Sequence, residues 1–179
     1  MQKTFQPDRL DVAAFADARG MLEGADSLEK YERLTLSSQA DSSVKWQARG
    51  ERRAAVDGSV RAALRLCIEA DLPLTCQRCM GPVMTPVRID RYFVFVPGET
   101  AAAALDEESE DDVLELTAAL DLHALIEDEL IMAMPLVPRH EQCPEQVRLS
   151  TQDAGFDDAG AAPIHPFAAL AGLRHRKAD

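Results

Sequence analysis

The stretch SVRAALRLCIEADL, Ser59 to Leu72, constrains the fold more than any other part of the chain. Val60, Ala62, Leu64, Leu66 and Ile68 fall on one side of an extended backbone, and Arg61, Arg65 and Glu69 on the other. Side chains alternate across a strand, so this period of two predicts a strand with one apolar and one wet face. Cys67 falls opposite the apolar stripe in an otherwise ordinary strand, and no role is assigned to it. Asp57-Gly58, just upstream, is a hairpin signal. Before it, Val44, Trp46 and Ala48 alternate with Lys45, Gln47 and Arg49 in a second strand. Tyr31 to Leu36 is the β-prone centre of another. Downstream, TPVRIDRYFVFVPG begins as an alternating strand, ends as a continuous apolar one, and is bracketed by Pro86 and Pro97. Four strands with short connections predict an antiparallel sheet or partly open β-barrel.

Two helices frame that block. PDRLDVAAFADA, residues 7–18, predicts a short N-terminal helix with Pro7 in its first turn, and Gly20 and Gly24 then break the chain. The main helix is expected from Asp121 to Met134. Asp121 is a good N-cap, Leu122, Leu125, Ile126, Leu130 and Ala133 follow a helical stripe, and Pro135 and Pro138 stop it. The fold class is therefore α+β, with the sheet spanning Leu28 to Val96 and packed on this C-terminal helix.

Between sheet and helix lies GETAAAALDEESEDD, with seven acidic residues and no basic one. Such a run repels itself, so residues 98–112 are expected to be a mobile, solvated loop, with VLELT returning briefly as a strand. Beyond the helix the chain turns polar and aperiodic. Residues 1–140 are expected to form one domain and 141–179 a largely flexible extension. The extension carries a short amphipathic element at 166–174, whose Phe167, Leu170 and Leu173 could dock on a partner.

The 179 residues carry a formal charge of −12. A general nucleic-acid binder usually has the opposite sign, because neutralised phosphates dominate affinity. RNA contact would need a local patch, for which Lys45, Arg49, Arg61, Arg65 and Arg78 are the candidates. A basic protein partner fits the net charge more easily, with Asp106, Glu107, Glu108, Glu110, Asp111 and Asp112 as its contacts. The N-terminus has no apolar signal segment, and no apolar run approaches the roughly 18–20 residues of a membrane span. The expected setting is the reducing cytoplasm, where a C-x-x-C pair is more often metal-binding or catalytic than a disulfide.

That pair is Cys76 and Cys79 in LPLTCQRCMGPV. A redox role needs a cysteine at a helix N-terminus, and Met80-Gly81-Pro82 opposes a helix there. A zinc site needs four donors; His140 and Cys143 in PRHEQCPE have ligand-like spacing and would complete the set. A bare knuckle of reduced cysteines between two strands is the remaining reading, and it stays open beside the metal one. His123 faces Glu127 at (i, i+4), a pair capable of acid–base work, but an exposed helix face beside water explains both. No nucleophile elbow, phosphate loop or H-E-x-x-H occurs, so no enzyme is expected.

LPLTCQRCMGPV leading into an aromatic-rich strand, the acidic run, DLHALIEDELIMAMPLVPRHEQC, and HPFAALAGL with its basic tail together resemble the proteobacterial branch of the YceD family in order and spacing. EDELIMAMPLVPRH is the most specific piece. The resemblance implies a non-catalytic ribosome biogenesis factor in the bacterial cytoplasm. Such a factor supports synthesis, processing or stability of large-subunit ribosomal RNA. Its implied partners are the precursor large ribosomal subunit, its RNA or a small basic ribosomal protein, with no membrane and no small-molecule substrate. Many family members carry a second C-x-x-C, where this chain has His140 and Cys143; histidine can replace cysteine at zinc. Two mechanisms fit: a basic sheet face meeting precursor RNA, or the acidic run holding a basic ribosomal protein, which the charge balance favours. The competing readings are a metal-dependent RNA-processing enzyme using Cys76 and Cys79, and a structural zinc module with an unrelated partner.

Overall fold

A computed structural model describes residues 4–34, 42–55, 58–144 and 151. Its centre is an open five-stranded sheet in the order β1-β2-β3-β4-β5, comprising Met21–Ser27, Ser43–Ala54, Val60–Thr75, Pro82–Val96 and Asp112–Glu115. The first four strands pair antiparallel, while β5 joins β4 in parallel. The sheet is therefore mixed and does not close, which corrects the expectation of an antiparallel sheet or partial barrel. The cause is α2 (Glu99–Asp106), which carries the chain back over the sheet between β4 and β5. A parallel pair needs such a crossover.

The apolar stripe of β3 behaves as its alternation predicts. Ala62, Leu64, Leu66, Ile68 and Leu72 are buried on one face with Val44, Trp46 and Ala48 of β2 and Phe93 and Phe95 of β4. α1 (Val12–Asp17) contributes Val12, Phe15 and Ala16 to that core, and α3 (Leu122–Ala133) contributes Leu122, Leu125, Ile126 and Leu130. Asp121 caps α3 as its sequence suggests, accepting from the His123 and Ala124 backbone N–H groups. The N-terminal helix is shorter than expected: Pro7–Arg9 forms a 3-10 turn, and only Val12–Asp17 is α-helical.

The continuous apolar end of β4 has a reason of its own. Phe93 and Phe95 enter the main core, while Val94 and Val96 point to the other face, where both are buried and Val96 packs with Ala102, Leu105 and Val113. A strand covered on both sides loses its alternation. The acidic run is thus not the loop that its charge suggests. Its AAAAL segment lies in the helix that packs on Val96, and Asp112 begins β5.

The first strand also departs from expectation. β1 is Met21–Ser27, whereas Leu28–Lys30 is a 3-10 turn and Tyr31 to Leu34 is not a strand; residues 35–36 lie outside the described residues. Gly24 is not a breaker. A Cβ there would meet the Trp46 ring at 2.6 Å, so glycine is what allows the indole to pass beneath β1. Trp46 Nε1 then donates to Asp26 at 2.6 Å, joined by Tyr31 Oη at 3.0 Å and Lys30 Nζ at 3.2 Å. Burial would raise the Asp26 carboxyl, but the bonds from Trp46, Lys30 and Tyr31 outweigh it and hold the group below the usual carboxylate range.

A Cβ at Gly50 would sit 2.6 Å from the Phe15 carbonyl oxygen, a backbone atom that cannot turn aside. Gly50→Ala should cost about 1–3 kcal/mol in urea titrations with an unchanged slope. Gly81→Ala, whose nearest atom is the Cys79 sulfur at 3.6 Å, should cost far less. Asp26→Asn should cost about 1–3 kcal/mol at neutral pH. A lowered folded pKa gives stability that is present above the unfolded value and lost as pH falls through the folded one. The gap between Asp26→Asn and wild type should therefore narrow below about pH 4.

Candidate metal centre

The β3–β4 hairpin turns through Cys76 to Gly81. The Cys76 N–H donates to the Gly81 carbonyl and the Met80 N–H to the Cys76 carbonyl, both at 2.8 Å. The chain closes by placing Met80 at φ 61, in the left-handed region. The result is a tight knuckle with Cys76 buried and Cys79 half-buried. No helix starts at either cysteine, so neither sits at the helix N-terminus that a thioredoxin-like redox site uses.

The second half arrives from the exit of α3. The Gln77 N–H donates to the Pro138 carbonyl at 2.8 Å. Arg78 grips the segment beyond Pro138: its guanidinium donates to the carbonyls of His140 at 2.8 Å and Glu141 at 3.2 Å, and its Nε lies 3.2 Å from the Cys143 sulfur. These contacts bring Cys76, Cys79, His140 and Cys143 together, with all four donor atoms within 4.8 Å of one another. Cys76 Sγ is 3.9 Å from Cys143 Sγ, and Cys79 Sγ is 3.4 Å from His140 Nδ1. A tetrahedron built on ordinary zinc–ligand lengths has edges of about 3.8 Å between sulfurs and about 3.6 Å between sulfur and nitrogen. The sixty-residue gap in sequence is closed by geometry that suits one metal ion.

The chemistry of the donors points the same way. His140 Nε2 lies 2.9 Å from the Pro82 carbonyl, which can only accept. The proton is therefore on Nε2, and the Nδ1 lone pair faces the sulfurs, the arrangement usual for a ligating histidine. Burial opposes ionisation of Cys76, but N–H groups of Cys79, Arg78 and His140 directed at its sulfur bring the thiol down to about 5. Cys79 moves up: the Gly81 N–H favours its thiolate, but burial and the neighbouring Cys143 and Cys76 sulfurs prevail. One thiolate is welcome, a second is crowded, and a cation would relieve the crowding. With four protein donors the set is closed, leaving no position for water or substrate.

The other candidates are distributed differently. Lys45 and Arg49 of β2 and Arg61 and Arg65 of β3 share the outer face of the sheet, opposite the core. Arg78 does not; it is part of the metal centre. Strand register sets Arg49 directly opposite Arg65 and Arg53 directly opposite Arg61. Arg65 holds Asp90 through two bonds of 2.8 and 2.6 Å, while Arg53 and Arg65 flank the Tyr92 ring at 4.6 and 5.4 Å. Glu23, Glu51, Glu69 and Asp90 lie on the same face, which is thus mixed in charge. Arg53, one of the basic residues concentrated between 45 and 91 in the sequence, joins this face, and so do Asp90 and Tyr92, which the sequence does not single out. Counting outward from the Asp57-Gly58 turn would have paired Arg53 with Arg61.

Among the acidic candidates, Asp106 accepts from the Val113 N–H, Asp111 pairs with Arg53 and Asp112 with Arg91. Glu107, Glu108 and Glu110 lie in the turn after α2. His123 is not on a wet face. Its side chain is 12% exposed, edge-on to Trp46 at 5.6 Å and near Lys30, Asp8 and Asp26. Glu127 is bound instead by the Arg33 backbone N–H and Nε, both at 2.6 Å, so the helical His–Glu pair does not form. Phe167, Leu170 and Leu173 lie outside the described residues. No helix among the described residues is long and apolar enough to cross a membrane.

Fold and site together define an α+β sheet protein whose main hairpin and main helix converge on a Cys3His donor set. A family model described as large ribosomal RNA subunit accumulation protein YceD matches residues 64–174, and the chain belongs to the YceD family. It is 28% identical over 184 residues to the large ribosomal RNA subunit accumulation protein YceD of Haemophilus influenzae, covering 98% of this chain and 100% of that protein. No solved structure matches.

Metal-free, reduced protein should take up one equivalent of cobalt(II) and show the intense visible bands of a tetrahedral thiolate site. Cys143→Ser should shift the thiolate-to-metal band and weaken binding at least about 10-fold, a loss that even partners outside the ligand set commonly cause. Uptake of several weakly held equivalents with octahedral spectra would overturn the assignment.

Proposed function

We propose that this protein is a non-catalytic factor supporting accumulation of large-subunit ribosomal RNA, and that it meets precursor RNA through the outer face of its sheet. The family and the name of the Haemophilus influenzae relative support the first half. The second rests chiefly on one observation: two arginine pairs stand directly opposite each other across β2 and β3. Like charges in that position destabilise a sheet. Each pair already holds a carboxylate of the fold, Asp90 on Arg65 and Asp111 on Arg53, so its spacing suits anionic oxygens that a phosphate backbone also offers. Arginine suits phosphate because its planar fork donates in pairs.

The reading in which the acidic run holds a basic ribosomal protein draws less support. Asp106, Asp111 and Asp112 are engaged within the fold, which leaves that surface weaker than the sequence suggests. The Cys3His set suits zinc in a structural role. When bound, zinc would cross-link the β3–β4 hairpin to the exit of α3 and so fix the end of the sheet. The closed donor set also speaks against a metal-dependent nuclease, which needs an open coordination position. The expected setting is the bacterial cytoplasm, with the precursor large subunit as partner.

Tagged protein run through density gradients should travel with immature large subunits at low salt and release steeply as salt rises. Arg49→Glu/Arg65→Glu should lower RNA affinity by about 10-fold or more and fail to restore ribosomal RNA levels in a deletion strain. Replacing residues 106–112 by a neutral linker should leave co-sedimentation intact. Loss of function there, with the arginine variant silent, would return the acidic carrier reading to first place.

A further inference from the structure

We propose that the acidic turn between α2 and β5 is a built-in competitor for RNA phosphate at the Arg53–Arg61 pair. The inference rests on the reading that the outer sheet face meets RNA. The two surfaces that the sequence offers as rival sites, the arginines and the acidic run, are one structure. One cavity of about 870 Å³ is lined by both, Arg53 and Arg61 from the strands and Glu108, Glu110 and Asp111 from the turn. Asp111 Oδ2 accepts from the Arg53 guanidinium at 2.6 Å, so a carboxylate occupies a donor that a phosphate oxygen would use.

The second arginine pair is offset differently. Arg65 is held by Asp90, which sits on β4 within the fully paired β3–β4 ladder. The backbone on both sides of that contact is fixed by the ladder, and only the side chains, 40% and 52% exposed, can turn aside. Asp111 lies outside any strand, in the turn before a β5 of four residues. The segment around it is held by a small satellite core of Val96, Ala102 and Val113 with Leu105. Its polar ties are local, the Val113 N–H on Asp106 and the Asp111 N–H on Ser109. A segment with few buried apolar contacts opens locally at lower cost than a central ladder. The pair itself is easily exchanged: the Arg53 and Asp111 side chains are 37% and 34% exposed, and ion pairs at such exposure are weak in water.

The consequence is selectivity. An anion that meets the face at one point must displace a carboxylate for little gain. An RNA backbone that also reaches Lys45, Arg49 and Arg65 presents several phosphates at once, so the exchange at Arg53 is carried by the other contacts. The acidic turn therefore discriminates against short or isolated anions while leaving the face open to an extended strand.

The test measures fluorescence anisotropy of the full chain with a fluorescein-labelled single-stranded RNA of large-subunit sequence, across a salt series. The Glu108→Gln/Glu110→Gln/Asp111→Asn variant should bind about 10-fold tighter than wild type, with a log K against log salt slope steeper by about 0.7–1.4. A variant with the same change in net charge placed elsewhere, Glu29→Gln/Glu32→Gln/Glu141→Gln, should gain less than about 3-fold by screening alone. Adding Arg53→Gln/Arg61→Gln to the first variant should erase its gain, which ties the effect to this pair rather than to overall charge. If wild type binds and the two acidic variants gain equally, the competitor is disproved while the RNA-contact reading stands. If no variant binds RNA, both fall. If only the turn variant binds, both are supported.

Discussion

The antiparallel pairing of β3 with β4 is the interaction on which the rest of the structure depends. It runs from Ala62 opposite Phe95 to Thr75 opposite Pro82, one ladder along the two longest strands of the sheet. At one end it delivers the knuckle that presents Cys76 and Cys79. At the other it sets Phe93 and Phe95 under the main core and turns Val94 and Val96 outward. Because side chains alternate along a strand, a slip of one residue would invert all of these at once. The register is pinned by the burial of Leu64, Leu66 and Ile68, whose exposure no outer-face contact could offset.

The knuckle end is where packing alone does least. Pro135 to Pro138 leaves α3 with no regular structure, and Leu136 is almost wholly exposed. What holds this segment against the hairpin is a set of polar links: Gln77 to Pro138, Arg78 to His140 and Glu141, and His140 to Pro82. A structural zinc ion in finger peptides contributes roughly 10–16 kcal/mol, comparable to the whole stability of an ordinary domain. A metal here would thus turn a loosely apposed strap into a fixed end, which fits a support for a contact surface better than a reaction centre.

How much of this could be read from the chain depends on the range of each signal. The strand in Val60 to Leu72, the cap at Asp121 and the stripe of α3 are local, and local periodicity reports them faithfully. Gly24 misled because its meaning is tertiary: it is vacant for Trp46, some twenty residues away, and nothing beside it in sequence says so. The acidic run misleads because its charge masks AAAAL, although the apolar continuity of FVFV implies that a second cover exists. The His140–Cys143 half of the donor set was visible as spacing but not as proximity, since only folding brings Pro138 to Gln77. His123 shows the same limit from the other side. Its helical neighbour Glu127 was in view, whereas Trp46, Lys30 and Asp26 were not.

The charge balance teaches a similar lesson about scale. A net charge of −12 argues against polyanion binding only if charges act at long range, and at physiological salt they are screened beyond roughly 8 Å. Within that distance placement decides. Arg49 and Arg65, and Arg53 and Arg61, are held side by side by backbone pairing, and cannot separate to relieve their repulsion as they would on a flexible segment. Carboxylates quiet both pairs, Asp90 from a neighbouring strand beside Arg65, and Asp111 from a turn with Glu51 beside Arg53. The face is near neutral as a whole, yet it presents donors at fixed spacing on a rigid sheet. A rigid array loses little entropy when a backbone of phosphates replaces its carboxylates, so contact with a long anion is governed by how many carboxylates must leave and how firmly each is anchored.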